Sequence, residues 1–341
     1  EVIEAASRAA LKFGTGSSGS RLTTGGTFIA SELEKRLADF KHSESALVFN
    51  TGYMTNLGVL YGLLQTGDVV FSDELNHASI IDGCRISRCK VVVYKHNDMA
   101  DLQRLLETEI VTGQRFIVTD GVFSMDGDIA DLPSLAVLKK QFNACLIVDD
   151  AHGVGVIGND GSGTASHYGL TDVIDLQVGT LSKALAAEGG YVAGKKILID
   201  YLINRSRPFI FSTALAPATL AAANAALLLL QTQASKYLDS LRANSRLMRR
   251  LLLEGGLNVV EGITPIIPVV IGEAGLTMQF ADRLKSKGIL VSGIRPPTVP
   301  RGESRLRITV TAAHCEEQLR QAAQIITALW QELKHGEKKE G

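Results

Sequence analysis

The stretch Cys145-Leu146-Ile147-Val148-Asp149-Asp150-Ala151-His152-Gly153 is an apolar run that stops abruptly in polar residues. The apolar part, preceded by a helical pattern over residues 135–142 with Pro133 near its start, reads as a buried strand behind a helix. The alternation extends in both directions. Strands are expected at residues 46–49, 69–72, 91–94, 116–119, 145–149, 174–178 and 191–193, with helical patterns between them. Ile29, Leu33, Leu37 and Phe40, spaced by four, four and three, mark one apolar helix face. Short apolar strands alternating with helices define an α/β architecture with a mostly parallel sheet.

The pattern changes at a long helical stretch, residues 216–255. Strands are expected after it at 268–271 and 305–311, then a last helix at 315–333. This divides the chain into a large domain, 1–230, and a smaller α+β C-terminal domain, 231–341. The polar end from Lys334 is expected to fray. The sequence starts at Glu1, not Met, so natural residues ahead of it are expected, and no leader peptide is visible.

Composition narrows the function classes. The 341 residues carry 35 Lys+Arg and 36 Asp+Glu, a net charge of −1, with 45% apolar residues. So much apolar surface excludes a disordered chain, and a near-neutral charge argues against nucleic acid as partner. No window approaches the ~18 uninterrupted apolar residues of a membrane span. Cys84, Cys89, Cys145 and Cys315 form no CxxC pair, so neither a structural zinc site nor a disulfide framework is expected, and the cytoplasm is the default location.

In an open α/β sheet, ligands gather beyond the carboxyl ends of the strands. The residues just after the expected strands are Asn50-Thr51-Gly52-Tyr53, Asp73 with His77, Asp120 with Ser124, Asp149-Asp150-Ala151-His152 and Gly179-Thr180-Leu181-Ser182-Lys183. Lys183 is followed by Ala184-Leu185-Ala186-Ala187, and such apolar flanks would desolvate it towards its neutral, nucleophilic form, suited to joining a carbonyl cofactor. A surface lysine opening a helix has the same appearance. Asp149, closing an apolar strand, needs a partner; a pyridinium N–H is one, and a metal held with His152 and His77 is another. His77 could stack on a planar ring or be an ordinary loop histidine. Thr51, Gly52 and Tyr53 stand where helix N–H groups could meet a phosphate, helped by Thr180 and Ser182, although Thr and Ser also cap helices. The Gly-rich run from Gly14 to Arg21 lacks the Gly-Lys-[Ser/Thr] ending of a triphosphate loop and is expected to be a flexible loop near the site. In the C-terminal part, the prolines around Arg295 stiffen its loop, and Arg305 and Arg307 share one strand face, suited to a carboxylate or to surface ion pairs.

Taken together, Asn76-His77-Ala78-Ser79, Asp149-Asp150-Ala151-His152-Gly153, Gly179-Thr180-Leu181-Ser182-Lys183, Arg305-Leu306-Arg307-Ile308 and the segments Ile294-Arg295-Pro296-Pro297-Thr298-Val299-Pro300 and Thr311-Ala312-Ala313-His314 resemble the α-oxoamine synthases, fold-type I enzymes that use pyridoxal 5'-phosphate. The resemblance runs from about Gly14 to Leu333. It implies that Lys183 holds the cofactor covalently and moves the substrate proton, that Asp149 pairs with the ring nitrogen, and that His152 and Ser124 approach the ring hydroxyl. It further implies that His77 stacks on the ring, that Thr51, Gly52, Tyr53 and Thr180 hold the phosphate, and that Thr213 reaches the phosphate of a partner subunit. Arg307 would bind the amino-acid carboxylate, with Arg295 and Arg21 also on the substrate side. The implied reaction condenses L-alanine with a pimeloyl thioester of CoA or a carrier protein, in biotin biosynthesis, in a homodimer with shared sites. Condensation of glycine with acetyl-CoA is the alternative within the family, and no metal is expected. Two departures stand out: the family carries several tens of residues ahead of this starting point, and Ala186 stands where a glycine is expected after the lysine, a change read as tighter local packing.

Overall fold

The computed structural model describes residues 1–340. In chain order the elements are α1 (Val2–Phe13), α2 (Phe28–Phe40), β1 (Ser45–Phe49), α3 (Gly52–Leu63), β2 (Val69–Asp73), α4 (Ala78–Ser87), β3 (Lys90–Tyr94), α5 (Met99–Thr108), β4 (Arg115–Asp120), α6 (Leu132–Phe142), β5 (Ala144–Asp149), α7 (Thr164–His167), β6 (Leu176–Thr180), β7 (Gly190–Gly194), α8 (Lys196–Arg205), α9 (Arg207–Ile210), α10 (Pro217–Glu254), β8 (Ile266–Gly272), α11 (Ala274–Ser286), β9 (Ser292–Ile294), β10 (Ser304–Thr309) and α12 (Glu316–Glu340). The chain forms two compact units. One comprises Glu1–Phe123 and Ile129–Ala234; the other comprises Ser124–Asp128 and everything from Ser235 onward. The division falls inside α10, between Ala234 and Ser235, one residue beyond Gln233, whose backbone (φ −132°, ψ 24°) is not helical. No sequence signal marked Ser124–Asp128 as part of the second unit.

The first unit is built on a seven-stranded sheet in the order β1-β7-β6-β5-β4-β2-β3. The neighbours from β3 to β6 run parallel, and β7 is antiparallel to both β6 and β1. The central strands β2, β4, β5 and β6 are buried on both faces, which is why they read as continuous apolar runs. Ile29, Leu33, Leu37 and Phe40 pack with Val48, Tyr191 and Leu227 in one apolar cluster, and α3 contributes Val59, Leu60 and Leu63 to another. Side-chain caps start the helices that follow strands: Thr51 Oγ1 accepts from Met54 N at 3.0 Å, and Asp131 accepts from Ser134 N at 3.1 Å.

In the second unit, β8-β10-β9 form an antiparallel sheet covered by α11 and α12, whose core includes Phe280 stacked on Trp330. The strand β9 lies at the start of the proline-rich run expected to be all loop; it pairs with β10 only over Ser292–Ile294, too short to announce itself. The polar end expected to fray continues α12 to Glu340, and Gly341 lies outside the described residues. The Gly-rich run near the N-terminus is not loose. Ser17 Oγ and Ala214 N bond to Ala214 O and Gly19 O at 2.5 and 2.9 Å, and Ser20 bridges Thr213.

One charged pair sits wholly inside the first unit. Lys41 is 0% exposed, and its Nζ donates to Asp150 Oδ2 at 2.9 Å and to the carbonyl of Ser162. Asp150 also accepts from Thr164 N and Oγ1. The loop between β5 and α7 is thereby tied to the end of α2, and Gly163 (φ +114°) is required there because a Cβ would collide with the Asp150 carboxylate. Removing one partner of such a pair strands the other charge. Lys41→Met should therefore lower unfolding free energy by about 3–5 kcal/mol, read from urea melts followed by circular dichroism; a loss below about 1 kcal/mol would show that the clamp is not holding the loop.

Candidate functional site

The carboxyl ends of β4, β5 and β6 and the starts of α3 and α4 surround a cavity of about 180 Å3. Thr51, Gly52, Tyr53, His77, Asp149, His152, Thr180 and Lys183 line it, which brings together eight of the residues expected from sequence. Asn56, Ser79, Asp120, Val122, Ala151 and Ser182 line it as well. Parallel strands explain the convergence, since each delivers its following loop to the same sheet edge.

Asp120 and Asp149 are register partners at the ends of β4 and β5, and both are buried. Burial, and then the neighbouring Asp149, raises the Asp120 carboxyl well above its ordinary 3.8, while the charge of Lys183 opposes the rise. Burial likewise raises Asp149; hydrogen bonds from Asn56 Nδ2 to Oδ2 at 2.6 Å and from Ala151 N to Oδ1 at 3.0 Å oppose it, as does Lys183. Two acids in a desolvated corner with one lysine make a strong attractor for a further cationic N–H.

The phosphate-binding expectation meets a defined surface. Thr51 caps α3, leaving its first N–H groups at the cavity. A Cβ at Gly52 would lie 3.2 Å from that of Thr180, so glycine permits the close approach of β6. Thr180 Oγ1 donates to Gly189 O at 3.0 Å and meets Ser182 Oγ at 2.8 Å. Tyr53 differs from expectation: its hydroxyl donates to Asp82, so its backbone is the part available to an anion.

Lys183 is exposed, and the apolar residues after it do not desolvate it, because Leu185 turns into the core whereas Ser182 and Ala184 stay exposed. Ala186 has φ +49°, a left-handed conformation that costs an L residue roughly 1–2 kcal/mol, and its side chain is exposed. The departure from glycine there is therefore one of backbone strain, not of tighter packing.

The remaining expected residues lie elsewhere. Arg21 makes a two-pronged ion pair with Glu34 at 2.8 and 2.9 Å and lies over the Phe209 ring. Thr213 is exposed, its carbonyl accepting from Asn50 Nδ2 at 2.8 Å. Ser124, Arg295 and Arg307 belong to the second unit. There, β10 separates the two arginines that its strand face presents. Arg305 is buried and paired with Asp126 and Glu303. Arg307 is half-buried, with Nε donating to Ser124 O and Nη1 to Thr309 Oγ1 at 3.0 Å, and no carboxylate partner among the described residues. Among those residues no group of three or more His, Cys, Asp or Glu is arranged to hold a metal ion.

The sequence profile of the family described as Aminotransferase class I and II matches residues 1–326. The chain is 51% identical over 308 residues to 8-amino-7-oxononanoate synthase of Lysinibacillus sphaericus, covering 90% of this chain and 79% of that one. It is 50% identical over 333 residues to the enzyme of the same name from Trichlorobacter lovleyi, covering 97% and 85%. The solved structure of SPT with its PLP internal aldimine superposes with a TM-score of 0.95 at 32% identity, over 98% of this chain and 84% of that one.

The Asp120–Asp149 pair has a pH signature. A carboxyl whose value is raised in the folded chain contributes stability below its unfolded value, near 3.8, and loses it as pH rises through the folded value. Asp120→Asn should accordingly raise the melting temperature at pH 7–8, with the gain shrinking towards pH 4, in thermal melts across that range. A gain independent of pH would refute the coupling.

Proposed function

This chain belongs to the aminotransferase class I and II family, and on that premise we propose that it is a pyridoxal-phosphate-dependent acyltransferase. It condenses L-alanine with a pimeloyl thioester, of CoA or a carrier protein, to 8-amino-7-oxononanoate, CO2 and free thiol, as in biotin biosynthesis. The reading is supported by relatives of that name at about 50% identity. The observation that carries it is the meeting of Lys183, Asp149 and the start of α3 in one cavity.

Pyridoxal phosphate suits this donor set: a lysine amine for its aldehyde, a buried carboxylate for its ring N–H, and helix N–H groups with Thr180 for its phosphate. When bound, it supplies a ring that takes up carbanion electrons. The chain's residues do the rest. Lys183 holds the cofactor and then removes and returns the proton at the alanine Cα. Asp149, ionised, accepts the ring N–H and keeps it protonated. His77 would hold the face of the ring, and His152 and Ser124 would serve its hydroxyl. Thr51, Gly52, Tyr53 and Thr180 hold the phosphate, and Thr213 serves that of a partner subunit. Arg307, which lacks the acid partners that occupy Arg305, binds the alanine carboxylate and so orients the Cα–H bond. Arg295 and Arg21 act on the acyl side, Arg21 only after leaving Glu34. The net reaction forms a bond from Cα to the acyl carbon, breaks the thioester and releases the alanine carboxyl as CO2.

A homodimer belongs to the same reading. Ile3 and Leu11 on α1 are 84% and 87% exposed, and Phe211, beside Thr213, is 69% exposed, which supports an apolar contact there. A cytoplasmic location is part of it too, supported by four free cysteines.

Lys183→Ala should abolish both the visible absorbance of the lysine-bound cofactor and turnover; a variant that keeps an undiminished band sinks the assignment. Arg307→Ala should weaken alanine binding at least tenfold while leaving cofactor binding within about twofold. Equal loss of both in titrations with each ligand would argue against a carboxylate role.

A further inference from the structure

A chain of hydrogen bonds runs along the wall of the cavity from Asp149 to His77. Asn56 is 2% exposed and Ser79 1% exposed. Asn56 Nδ2 lies 2.6 Å from Asp149 Oδ2 and 2.8 Å from Ser79 Oγ. Ser79 Oγ lies 2.7 Å from His77 Nδ1, to which Ser79 N also donates at 3.3 Å.

The directions of these bonds follow from chemistry. Asp149 Oδ1 accepts from Ala151 N and Oδ2 faces the nitrogen, not the oxygen, of Asn56, so the carboxylate is the acceptor of both bonds. The second hydrogen of that nitrogen then points to Ser79 Oγ. The serine oxygen, already accepting, gives its own hydrogen to His77 Nδ1. Two donors therefore meet at Nδ1, which must offer a lone pair, and the neutral imidazole carries its proton on Nε2. Loss of either middle member would leave a buried donor or acceptor unmatched.

We propose that Asn56 and Ser79 are positioning residues that join the carboxylate under the cofactor's ring nitrogen to the imidazole against its face, fixing His77 as the Nε2–H tautomer. Both act through Asp149 and His77, to which they are hydrogen-bonded. The relay holds Asp149 as an acceptor and prevents His77 from turning Nδ1–H towards it, so one network sets both faces of the ring site. The inference rests on the cofactor reading above for its consequence, but not for the tautomer.

The test uses the 341-residue chain labelled with ¹⁵N-histidine, before and after addition of pyridoxal phosphate. The His77 signals are identified by their loss in His77→Gln. In the unsubstituted protein, His77 should show an unprotonated Nδ1 and a protonated Nε2. Ser79→Ala should shift His77 towards the mixed tautomers of a free imidazole and raise the dissociation constant for pyridoxal phosphate about tenfold. Ser79→Thr, which restores a hydroxyl, should return both. A protonated Nδ1 in the unsubstituted protein overturns the proposal without any variant. So does an unchanged His77 pattern in a folded Ser79→Ala, or a changed pattern with unchanged cofactor affinity. Failure of the unsubstituted protein to bind pyridoxal phosphate would instead refute the cofactor reading, with the tautomer result still deciding the relay.

Discussion

Two carboxylates end adjacent parallel strands side by side, and both are removed from water. Asp120 and Asp149 cannot comfortably be ionised together in that corner, since burial and mutual repulsion favour protonation. Several neighbours relieve this. Lys183 brings positive charge, and Asn56 and the Ala151 N–H donate to Asp149. In the proposed reading, a protonated pyridine ring would bring this corner a cationic N–H.

The cost of burial is met by rigidity around the corner. Lys41 and Asp150 clamp the loop that follows Asp149, and Asn76 pins the segment before His77 by donating to Ser72 Oγ at 2.9 Å and Val118 O at 2.8 Å. Such second-layer bonds hold functional groups within the narrow tolerances that catalysis requires. On β10 of the second unit, Arg305 is paired with acids, while Arg307 two residues on has no carboxylate partner among the described residues.

Much of this was legible in the chain. The apolar runs at residues 69–72, 116–119 and 145–149 announce central strands because strands buried on both faces exclude polar side chains. The expected strand at 174–178 instead begins at Leu176, since the Asp175 carboxylate turns to accept from Leu146 N at 2.8 Å. The residues just past those strands named most of the cavity lining. Asn56 and Ser79 were missed, although a lone amide in the apolar helix α3, one turn beyond Gly52, was a usable signal. Ser124–Asp128 joined the second unit unannounced, because Arg305, Arg307 and Thr264 hold it through bonds spanning more than a hundred residues. β9 was hidden by its brevity.

By itself, the sequence determined the alternation of buried strands and helices, and hence which loops share one sheet edge, because periodicity and turn chemistry are local properties. Tertiary structure alone decided which polar groups are paired and which are left available. It showed Arg21 spent on Glu34, the Tyr53 hydroxyl spent on Asp82, Lys183 exposed in spite of its apolar neighbours, and Ala186 held in a left-handed backbone. Pairing and desolvation depend on groups distant in the chain, and no window of residues contains them.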